Sequence, residues 1–439
     1  MSHARESYDA LPGTGPRPTR NRLHFGVNEA TGWGDFAIGP YREQIRNRLR
    51  AIGTRLVRIY VFDRYTPDPV RDWPVFAPYV QAVLDAGATP MITLTKFRPP
   101  FDDPATIRWF AQRCGELVWN CIEQWGGPAV REWYWCIWNE PNSDWINPGF
   151  TFEQYRQVYL AVAHEIVRWL GPHLEGRRAL LGGPAVDTFQ PFWFDWLWRF
   201  VHEIDNTLVG FALWHRFGDW RAPGEWDAPR EPLIYRRLLV ERTGEYAEIA
   251  ATITRLLDRR RILNICGRLN ANAHHQPQVS GPMNQTMVGA VYYVCALIQL
   301  MLGGADGELY WMGTGGDGPH GLWDGHARET PAFRAKELVA QAVRPGDDVV
   351  VHEPRPGHRQ LIVVEITTSG ARRGVLVLHL SDGRHTCRLI DILGKGADYA
   401  FVRKIDEGSA SCMATTFDGT ITFDGLGVAI AMADAALSG

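Results

Sequence analysis

The segment Trp138-Asn139-Glu140-Pro141-Asn142 contains the side chains with the clearest potential for chemistry. It ends the run EWYWCIWNE (132–140), which has the apolar character of a buried β-strand. A carboxylate that emerges from such a strand among aromatic residues loses water, and burial favours its protonated form. A carboxyl group that stays protonated near neutral pH can act as a general acid. A helix-capping or salt-bridged glutamate is the alternative, and the full pentapeptide at a strand end favours chemistry.

Two further polar side chains, Arg58 and His215, interrupt apolar runs in a similar way. Arg58 lies within RLVRIYVF (55–62), and His215 lies within LVGFALWHRF (208–217). A buried arginine without a partner is strongly destabilising, so we expect a carboxylate beside Arg58. His215 taken alone fits a hydrogen-bonded structural histidine as well as it fits a functional one.

These side chains must be positioned by an alternation of short apolar runs and longer helical segments. The alternation predicts a parallel sheet with helical crossovers. The predicted strands are 23–28, 55–62, 89–97, 132–140, 178–185, 208–217, 261–267 and 307–313. The predicted helices are 41–53, 74–86, 104–124, 152–171, 193–204, 230–258, 281–302 and 330–342.

Eight strand–helix pairs favour a closed (β/α)8 barrel over an open doubly wound sheet. The open sheet is the alternative, but no G-x-G-x-x-G segment follows the first strand. We therefore predict a lead-in over residues 1–20 and a barrel over residues 21–344. Chemistry in such a barrel takes place at the carboxyl ends of the strands, where Glu140 and His215 lie.

The sequence pattern changes after about residue 345, where short strands separated by turn signals replace the helices. Segments such as RQLIVVEITT, GVLVLHLSD, CRLIDI and GVAIAMAD predict an antiparallel β-sandwich over residues 345–439. The connecting segment RPGDD is short, so we expect the two domains to pack closely. The sandwich lacks an obvious aromatic platform, which favours a packing role over carbohydrate binding.

Composition excludes several other classes of protein. Among 439 residues, 46 basic and 49 acidic side chains give a net charge of −3, which argues against a nucleic-acid-binding protein. No apolar run is long enough to span a membrane, and VGAVYYVCALIQLMLGG (288–304) is better interpreted as a buried helix. Seven cysteines without a C-x-x-C pair argue against a disulfide framework or a zinc site. The amino terminus lacks a signal peptide, so we expect a cytoplasmic protein.

W-N-E-P-N at the end of the fourth predicted strand resembles the acid/base motif of the retaining glycoside hydrolases built on this barrel. The chain length, the appended β-sandwich and LWHRF on the sixth strand make the chain most similar to glycoside hydrolase family 39. That family includes β-xylosidases, iduronidases and some endo- or exo-acting relatives. The resemblance covers the whole chain in architecture, and it is specific at two or three motifs.

The resemblance implies a role for each matching residue. Glu140 would protonate the leaving oxygen and later activate water, and Asn139 would hydrogen-bond the sugar 2-hydroxyl. His215 would line the same subsite, and Arg58 would brace the nucleophile. Asn270, in the polar segment after the seventh strand, is a further substrate-binding candidate. Trp311 would lie beneath a sugar ring, and weaker candidates for the cleft are Trp138, Trp145, Trp214 and Trp323.

The match fails at the second carboxylate. Retaining hydrolysis needs a nucleophile about 5–5.5 Å from the acid/base, and the resemblance puts it at the end of the seventh strand. That segment reads ILNICGRLNANAHH, and Arg268 occupies the position where Glu is expected. A guanidinium is not a nucleophile, and one facing Glu140 would hold that carboxylate ionised. Other acids are misplaced: Glu308 at the start of the eighth strand, and Glu29 and Asp63 after the first and second.

Three interpretations of Arg268 stay open. In the first, Arg268 is an engineered Glu→Arg change that stops turnover and keeps the fold. In the second, the chain is a natural relative that lost hydrolysis and binds glycans. In the third, a different acid serves in an altered hydrolase or transglycosylase mechanism. We expect an oligosaccharide or glycoside as the ligand, with retention of configuration and exo action on a short substrate. No metal or organic cofactor, nucleic acid or membrane partner is implied, and self-association into a homo-oligomer is common among such barrels.

Overall fold

The computed structural model describes residues 18–29, 37, 39–62, 68–95, 103–219, 232–274, 283–315, 318–352, 357–369, 371–393, 399–409, 412 and 414–433. Asp63 and the lead-in up to residue 17 lie outside the described residues. The first strand, β1, spans Thr19–Arg20. It pairs with a strand of the carboxyl-terminal domain, so the end of the predicted lead-in belongs to that domain's sheet.

The next eight strands form a closed parallel barrel, which confirms the predicted fold class. They are β2 (His24–Glu29), β3 (Leu56–Val61), β4 (Thr89–Leu94), β5 (Tyr134–Ile137), β6 (Leu181–Asp187), β7 (Phe211–His215), β8 (Leu263–Leu269) and β9 (Gly307–Tyr310). Most of these residues are buried, as expected of strands covered by helices on one face and by a packed interior on the other.

Helices follow the barrel strands and surround them. They are α1 (Arg42–Ala51), α2 (Trp73–Asp85), α3 (Pro104–Trp125), the short α4 (Gly127–Val130), α5 (Phe152–Leu170), α6 (Trp193–Glu203), α7 (Pro232–Leu257), α8 (Met287–Leu302) and α9 (Pro331–Ala342). The apolar segment predicted to be a buried helix forms α8, whose residues are almost all buried. No helix in the described part of the chain has the length and apolarity that a membrane span requires.

The interior of the barrel is filled in layers. An apolar layer that includes Leu56, Met91 and Leu309 closes the barrel beneath the site. Arg58 and Tyr60 follow Leu56 at intervals of two along β3, so they point into the barrel above this layer. Strand alternation therefore delivers polar groups to the carboxyl-end mouth, while the floor stays apolar.

The carboxyl-terminal domain contains β10 (Asp348–His352), β11 (Leu361–Thr368), β12 (Ala371–His379), β13 (Arg384–Arg388), α10 (Leu389–Leu393), β14 (Phe401–Asp406), β15 (Thr415–Thr416), β16 (Thr420–Asp424) and β17 (Gly427–Met432). A seven-stranded antiparallel sheet, β1-β10-β11-β12-β17-β14-β15, faces the two-stranded sheet β13-β16, consistent with the predicted sandwich. CRLIDI, predicted as one strand, is the end of β13 followed by α10. Residues of β12, β14 and β17 share one hydrophobic core with α8 and α9.

A fully buried ion pair joins the last strand of the barrel to the last barrel helix, α9. Lys336 of α9 bonds to Glu308 of β9, and both side chains are 0% exposed. Tyr293 donates to Glu308 at 3.0 Å, and Lys336 also donates to the carbonyl oxygen of Gly26 at 3.0 Å. The pair therefore connects the barrel to α8 and α9, far from the mouth.

We predict that Lys336→Met lowers the free energy of unfolding by about 3–5 kcal/mol, because Glu308 is left as an unpaired buried acid. The double variant Glu308→Leu/Lys336→Met should recover most of the loss, since both polar groups are removed. Urea denaturation of the three proteins measures the difference. If the double variant is no more stable than the single one, the loss of stability comes from altered packing around the pair and not from the unpaired buried Glu308.

Candidate active site

The end of β5 presents Glu140 through an irregular backbone. Trp138 and Glu140 both have positive φ angles, 77° and 49°, which residues other than glycine rarely adopt. The amide of Asn147 fixes this conformation by donating to the carbonyl oxygens of Asn139 at 3.2 Å and Glu140 at 2.8 Å. Glu140 N–H donates to Ala185 of the neighbouring strand at 3.0 Å. Strained backbone held by surrounding bonds is typical of functional sites.

Glu140, His215 and Arg58 form a chain of hydrogen bonds across the mouth of the barrel. Arg58 Nη1 lies 2.8 Å from His215 Nε2, and His215 Nδ1 lies 2.5 Å from Glu140 Oε1. Because arginine can only donate, His215 Nε2 accepts, and its proton is carried by Nδ1. Nδ1–H therefore donates to the Glu140 carboxylate.

His215 is neutral in this arrangement. Burial lowers the pKa of His215 well below its ordinary value, and the charges of Arg58 and Arg268 lower it further. The side chain is 1% exposed. His215 therefore orients Glu140 as a neutral hydrogen-bond donor and supplies no positive charge.

Arg58 is fully buried, and its hydrogen-bond partners are neutral. Its guanidinium donates to Thr93 Oγ1 at 2.8 Å and Asn139 Oδ1 at 3.1 Å, in addition to His215. Among the described residues it forms no ion pair with a carboxylate, so the expectation that it braces one does not hold. Complete burial also removes Arg58 from direct contact with a ligand. It positions Asn139 and His215 instead.

Arg268 lies on β8, and its side chain reaches into the mouth. Nη1 is 3.3 Å from Glu140 Oε1, and Nε donates to Tyr60 Oη at 3.0 Å. The guanidinium carbon lies 3.8 Å from the centre of the Trp311 ring, a cation–π contact. Glu140 Oε1 thus accepts from both His215 and Arg268, and the guanidinium covers the face of Trp311.

Tyr60 and Asn28 belong to the site although sequence reasoning did not select them. Tyr60 Oη donates to Asn28 Oδ1 at 2.9 Å while it accepts from Arg268. Burial raises the pKa of Tyr60, and the positive charges of Arg268 and Arg58 act against that rise. Tyr60 lies two residues after Arg58 on β3, so strand alternation was the signal that could have identified it.

The two predicted asparagines lie at the mouth. Asn139 is 7% exposed, and its Nδ2 lies 3.5 Å from Glu140 Oε2. Asn270 is buried, with Nδ2 donating to the carbonyl oxygen of Trp311 at 2.6 Å. Asn270 Oδ1 is buried without a hydrogen-bond partner among the described residues. Asn139 therefore lies beside the Glu140 carboxylate, whereas the described bonds of the Asn270 side chain run to Trp311 and His320.

The predicted tryptophans divide into three groups. Trp311 is 6% exposed and lies under the guanidinium of Arg268. Trp138, Trp214 and Trp323 are 0% exposed, so they cannot line a cleft, and this part of the expectation is wrong. Their size and the apolar strands around them explain why they fill the core instead. Trp145 is 90% exposed on the loop that follows Glu140.

The other acids considered from the sequence do not approach Glu140 by any described contact. Glu308 lies in the buried pair near the start of β9, as its sequence position predicts. Glu29 is buried at the end of β2 and accepts from Thr314 N–H at 3.0 Å. Asp63 lies outside the described residues.

Asp187, at the end of β6, is an acid that sequence reasoning missed. It pairs in register with His215, so both side chains point to the same face of the sheet. Burial raises the pKa of Asp187, and the nearby charge of Glu140 raises it further. Its carboxylate accepts from Phe189 N–H at 2.9 Å and from the Gln190 amide at 3.0 Å. Its position directly after an apolar strand is the same signal that identified Glu140.

Comparisons with known proteins agree with this architecture. The sequence model described as Glycosyl hydrolases family 39 matches residues 58–222, a segment that contains Arg58, Glu140 and His215 and ends before Arg268. No curated protein sequence matches the chain.

Among solved structures, a GH39 β-xylosidase from Caulobacter crescentus superposes with a TM-score of 0.62 and 15% identity, covering 96% of this chain and 98% of that one. An α-L-arabinofuranosidase from Thermotoga maritima, in complex with arabinose, gives 0.62 and 12%, covering 95% and 97%. A 4-O-α-L-rhamnosyl-β-D-glucuronidase from Fusarium oxysporum gives 0.60 and 10%, covering 96% and 99%. At these identities the likeness establishes the fold, and together with the family match it confirms the resemblance to family 39.

We predict that the neutral state of His215 makes stability depend on pH. The unfolded chain protonates this histidine below about pH 6.5, whereas the folded chain does so only at lower pH. Its contribution is therefore complete above pH 6.5 and falls by up to about 1.4 kcal/mol per pH unit as the solution is acidified. Unfolding measured between pH 7.5 and 5 should show a smaller slope for His215→Asn than for the natural chain. Equal slopes would mean that His215 takes up protons as readily in the folded chain as in the unfolded one.

Proposed function

We propose that this chain, a family 39-like glycoside hydrolase, binds a glycoside at the mouth of its barrel with Glu140 beside the scissile bond. We propose further that Arg268 prevents hydrolysis by the retaining route. The observation that carries both points is the contact of Arg268 with Glu140 and Trp311. The neighbouring xylosidase, arabinofuranosidase and glucuronidase folds support a sugar ligand as a class and leave its identity open.

Arg268 obstructs the retaining mechanism in three ways. It removes the carboxylate that would attack the anomeric carbon. It donates to the same oxygen of Glu140 that His215 already occupies, so a proton for the leaving group would have to reside on Oε2. Its positive charge also opposes the oxocarbenium-like charge that develops on the sugar in the transition state. Each effect alone would slow the reaction, and all three come from one side chain.

The remaining groups still fit sugar binding. Asn139 is held by Arg58 at the edge of Glu140, as the resemblance to family 39 implies for the residue that binds the 2-hydroxyl. Trp311 provides a flat face, which a sugar would reach by displacing the Arg268 guanidinium. Retention, exo action on a short substrate, a cytoplasmic location and self-association stay predictions of the sequence.

We predict that Arg268→Glu creates turnover of aryl glycosides that the chain with Arg268 lacks. The panel contains xyloside, arabinosides, glucoside, galactosides and fucoside, and the preferred glycoside identifies the sugar. Arg268→Gln is the matched control, because it removes the charge without supplying a nucleophile. We expect Arg268→Glu to exceed the control by roughly 10³-fold, in the range typical of a positioned catalytic group. Proton NMR of the first product should show retention.

The outcomes separate the interpretations. Turnover by Arg268→Glu alone supports the proposal. No turnover by any variant, combined with sugar binding by the chain with Arg268, supports a glycan-binding protein that lost hydrolysis. If no variant shows turnover and no sugar of the panel binds, the proposal is contradicted. Turnover by the chain with Arg268 contradicts the block at Arg268 and points to another acid.

Asp187 favours a second candidate function, a hydrolase in which Glu140 is the nucleophile and Asp187 is the proton donor. Hydrogen-bond donors surround Glu140 as they would an ionised carboxylate, while burial raises the pKa of Asp187. Two acids in such different environments can divide the work of nucleophile and proton donor. If the natural chain is active, Asp187→Asn should reduce its kcat by about 10²-fold or more and abolish the basic limb of its pH profile. The same substitution should change Arg268→Glu turnover far less, because Glu140 then serves as the acid.

A further inference from the structure

Two large aromatic side chains, Trp145 and Phe192, are exposed at the mouth of the barrel. Trp145 is 90% exposed and Phe192 is 81% exposed. They lie on the loops after β5 and β6, at the same face as Glu140. Exposing so much apolar surface is unfavourable, and apolar rings at a cleft typically mark a place where a ligand covers them.

The loop that carries Trp145 is tied to the catalytic carboxylate. Trp145 is five residues after Glu140, and Asn147 bonds to the backbone of both Asn139 and Glu140. Asn147 itself accepts from the indole of Trp138 at 3.3 Å and is 6% exposed. The Trp145 ring therefore projects from a segment whose backbone is fixed relative to Glu140.

The loop that carries Phe192 is strained and is joined to the first loop. Phe192 has φ 60° and ψ 18°, a left-handed conformation that is costly for a bulky side chain. The Asn142 side chain links the two loops, because its amide donates to Asp187 O and its carbonyl accepts from Asp187 N–H, both at 2.9 Å. This reciprocal pair fixes the β6 loop against the loop of Glu140.

The position of the two rings points to the leaving-group side of the site. A general acid delivers its proton to the oxygen of the leaving group, so the loop that carries Glu140 borders that group. Aromatic side chains also lie deeper in the same cleft. Tyr60, Phe217 and Trp311 cluster at the base of the cleft, with Phe189 packed against them three residues before Phe192.

We propose that Trp145 and Phe192 form an aromatic platform that binds the sugar rings of an oligosaccharide leaving group beyond the scissile bond. The proposal rests on the proposed function, namely sugar binding beside Glu140. A saccharide is the occupant because its rings present apolar C–H faces to stack and hydroxyl groups that remain in water. Exo action is compatible with it, since the terminal sugar would enter the cleft while the rest of the chain lies on the platform.

The test is binding to an array of mono- to tetrasaccharides of xylose, arabinose, glucose, galactose and fucose. The proteins are the natural chain, Trp145→Ala, Phe192→Ala and the double variant. Trp119→Ala is the matched control, because Trp119 is 43% exposed on the outer surface of α3, near its carboxyl end. Affinity of the natural chain should increase with length from mono- to trisaccharide in the series that binds. Each platform substitution should weaken trisaccharide binding by about 3- to 10-fold and leave monosaccharide binding unchanged.

The outcomes distinguish this proposal from the one on which it rests. If no saccharide binds, the proposed function fails and the platform fails with it. If saccharides bind but affinity is independent of length, or if the platform variants behave like Trp119→Ala, the platform is wrong and the proposed function stands. If the platform variants leave sugar binding unchanged and instead abolish self-association in sedimentation, the rings belong to a contact between copies, which also overturns the proposal.

Discussion

The arrangement of charges at the mouth of the barrel governs what this protein can do. Arg58 and Arg268 bring two guanidinium groups to a largely buried site, and Glu140 is the carboxylate they share with a neutral histidine. Buried charges are tolerated only when hydrogen bonds replace the lost water. Here the neutral His215 accepts a hydrogen bond from Arg58 and donates one to Glu140, while Arg268 contacts the carboxylate directly. The orientation of Asn139 and the tautomer of His215 follow from that requirement.

The barrel makes the arrangement possible by separating stability from chemistry. Its apolar floor closes the interior below Arg58, and the buried pair of Glu308 and Lys336 joins strand to helix at the opposite end. The mouth can then contain irregular backbone at Glu140, because the bonds of Asn147 and Ala185 hold it. Substitutions at the mouth are therefore expected to change chemistry more than folding.

Much of this could be predicted from the sequence, and the reason is the same for each correct element. Parallel strands covered on both faces appear as apolar runs, so all eight barrel strands were located to within a few residues, and their helices likewise except that α8 begins six residues later than predicted. Glu140 was found because it ends such a run, and Arg58 and His215 were identified from the resemblance to family 39 together with their positions in apolar runs. The partners of Arg58 were not predictable, since they come from strands that meet only in three dimensions. Asp187 and Tyr60 were overlooked although strand alternation and strand ends mark them. CRLIDI was mistaken for one strand because a single turn of helix is too short to show periodicity.

The surroundings of Arg268 explain how one residue can redirect the site without disturbing the fold. Tyr60 accepts from its Nε, Trp311 lies beneath its guanidinium, and Glu140 neutralises part of its charge. Tyr60 could also serve a carboxylate at the same position, because its hydroxyl can donate where it now accepts. The summed charge of Arg58, Glu140 and residue 268 is positive with arginine at position 268 and would be negative with glutamate. A positive mouth would repel the cationic transition state of glycoside hydrolysis and a negative one would stabilise it, which is the physical basis of the proposal that residue 268 decides between binding and turnover.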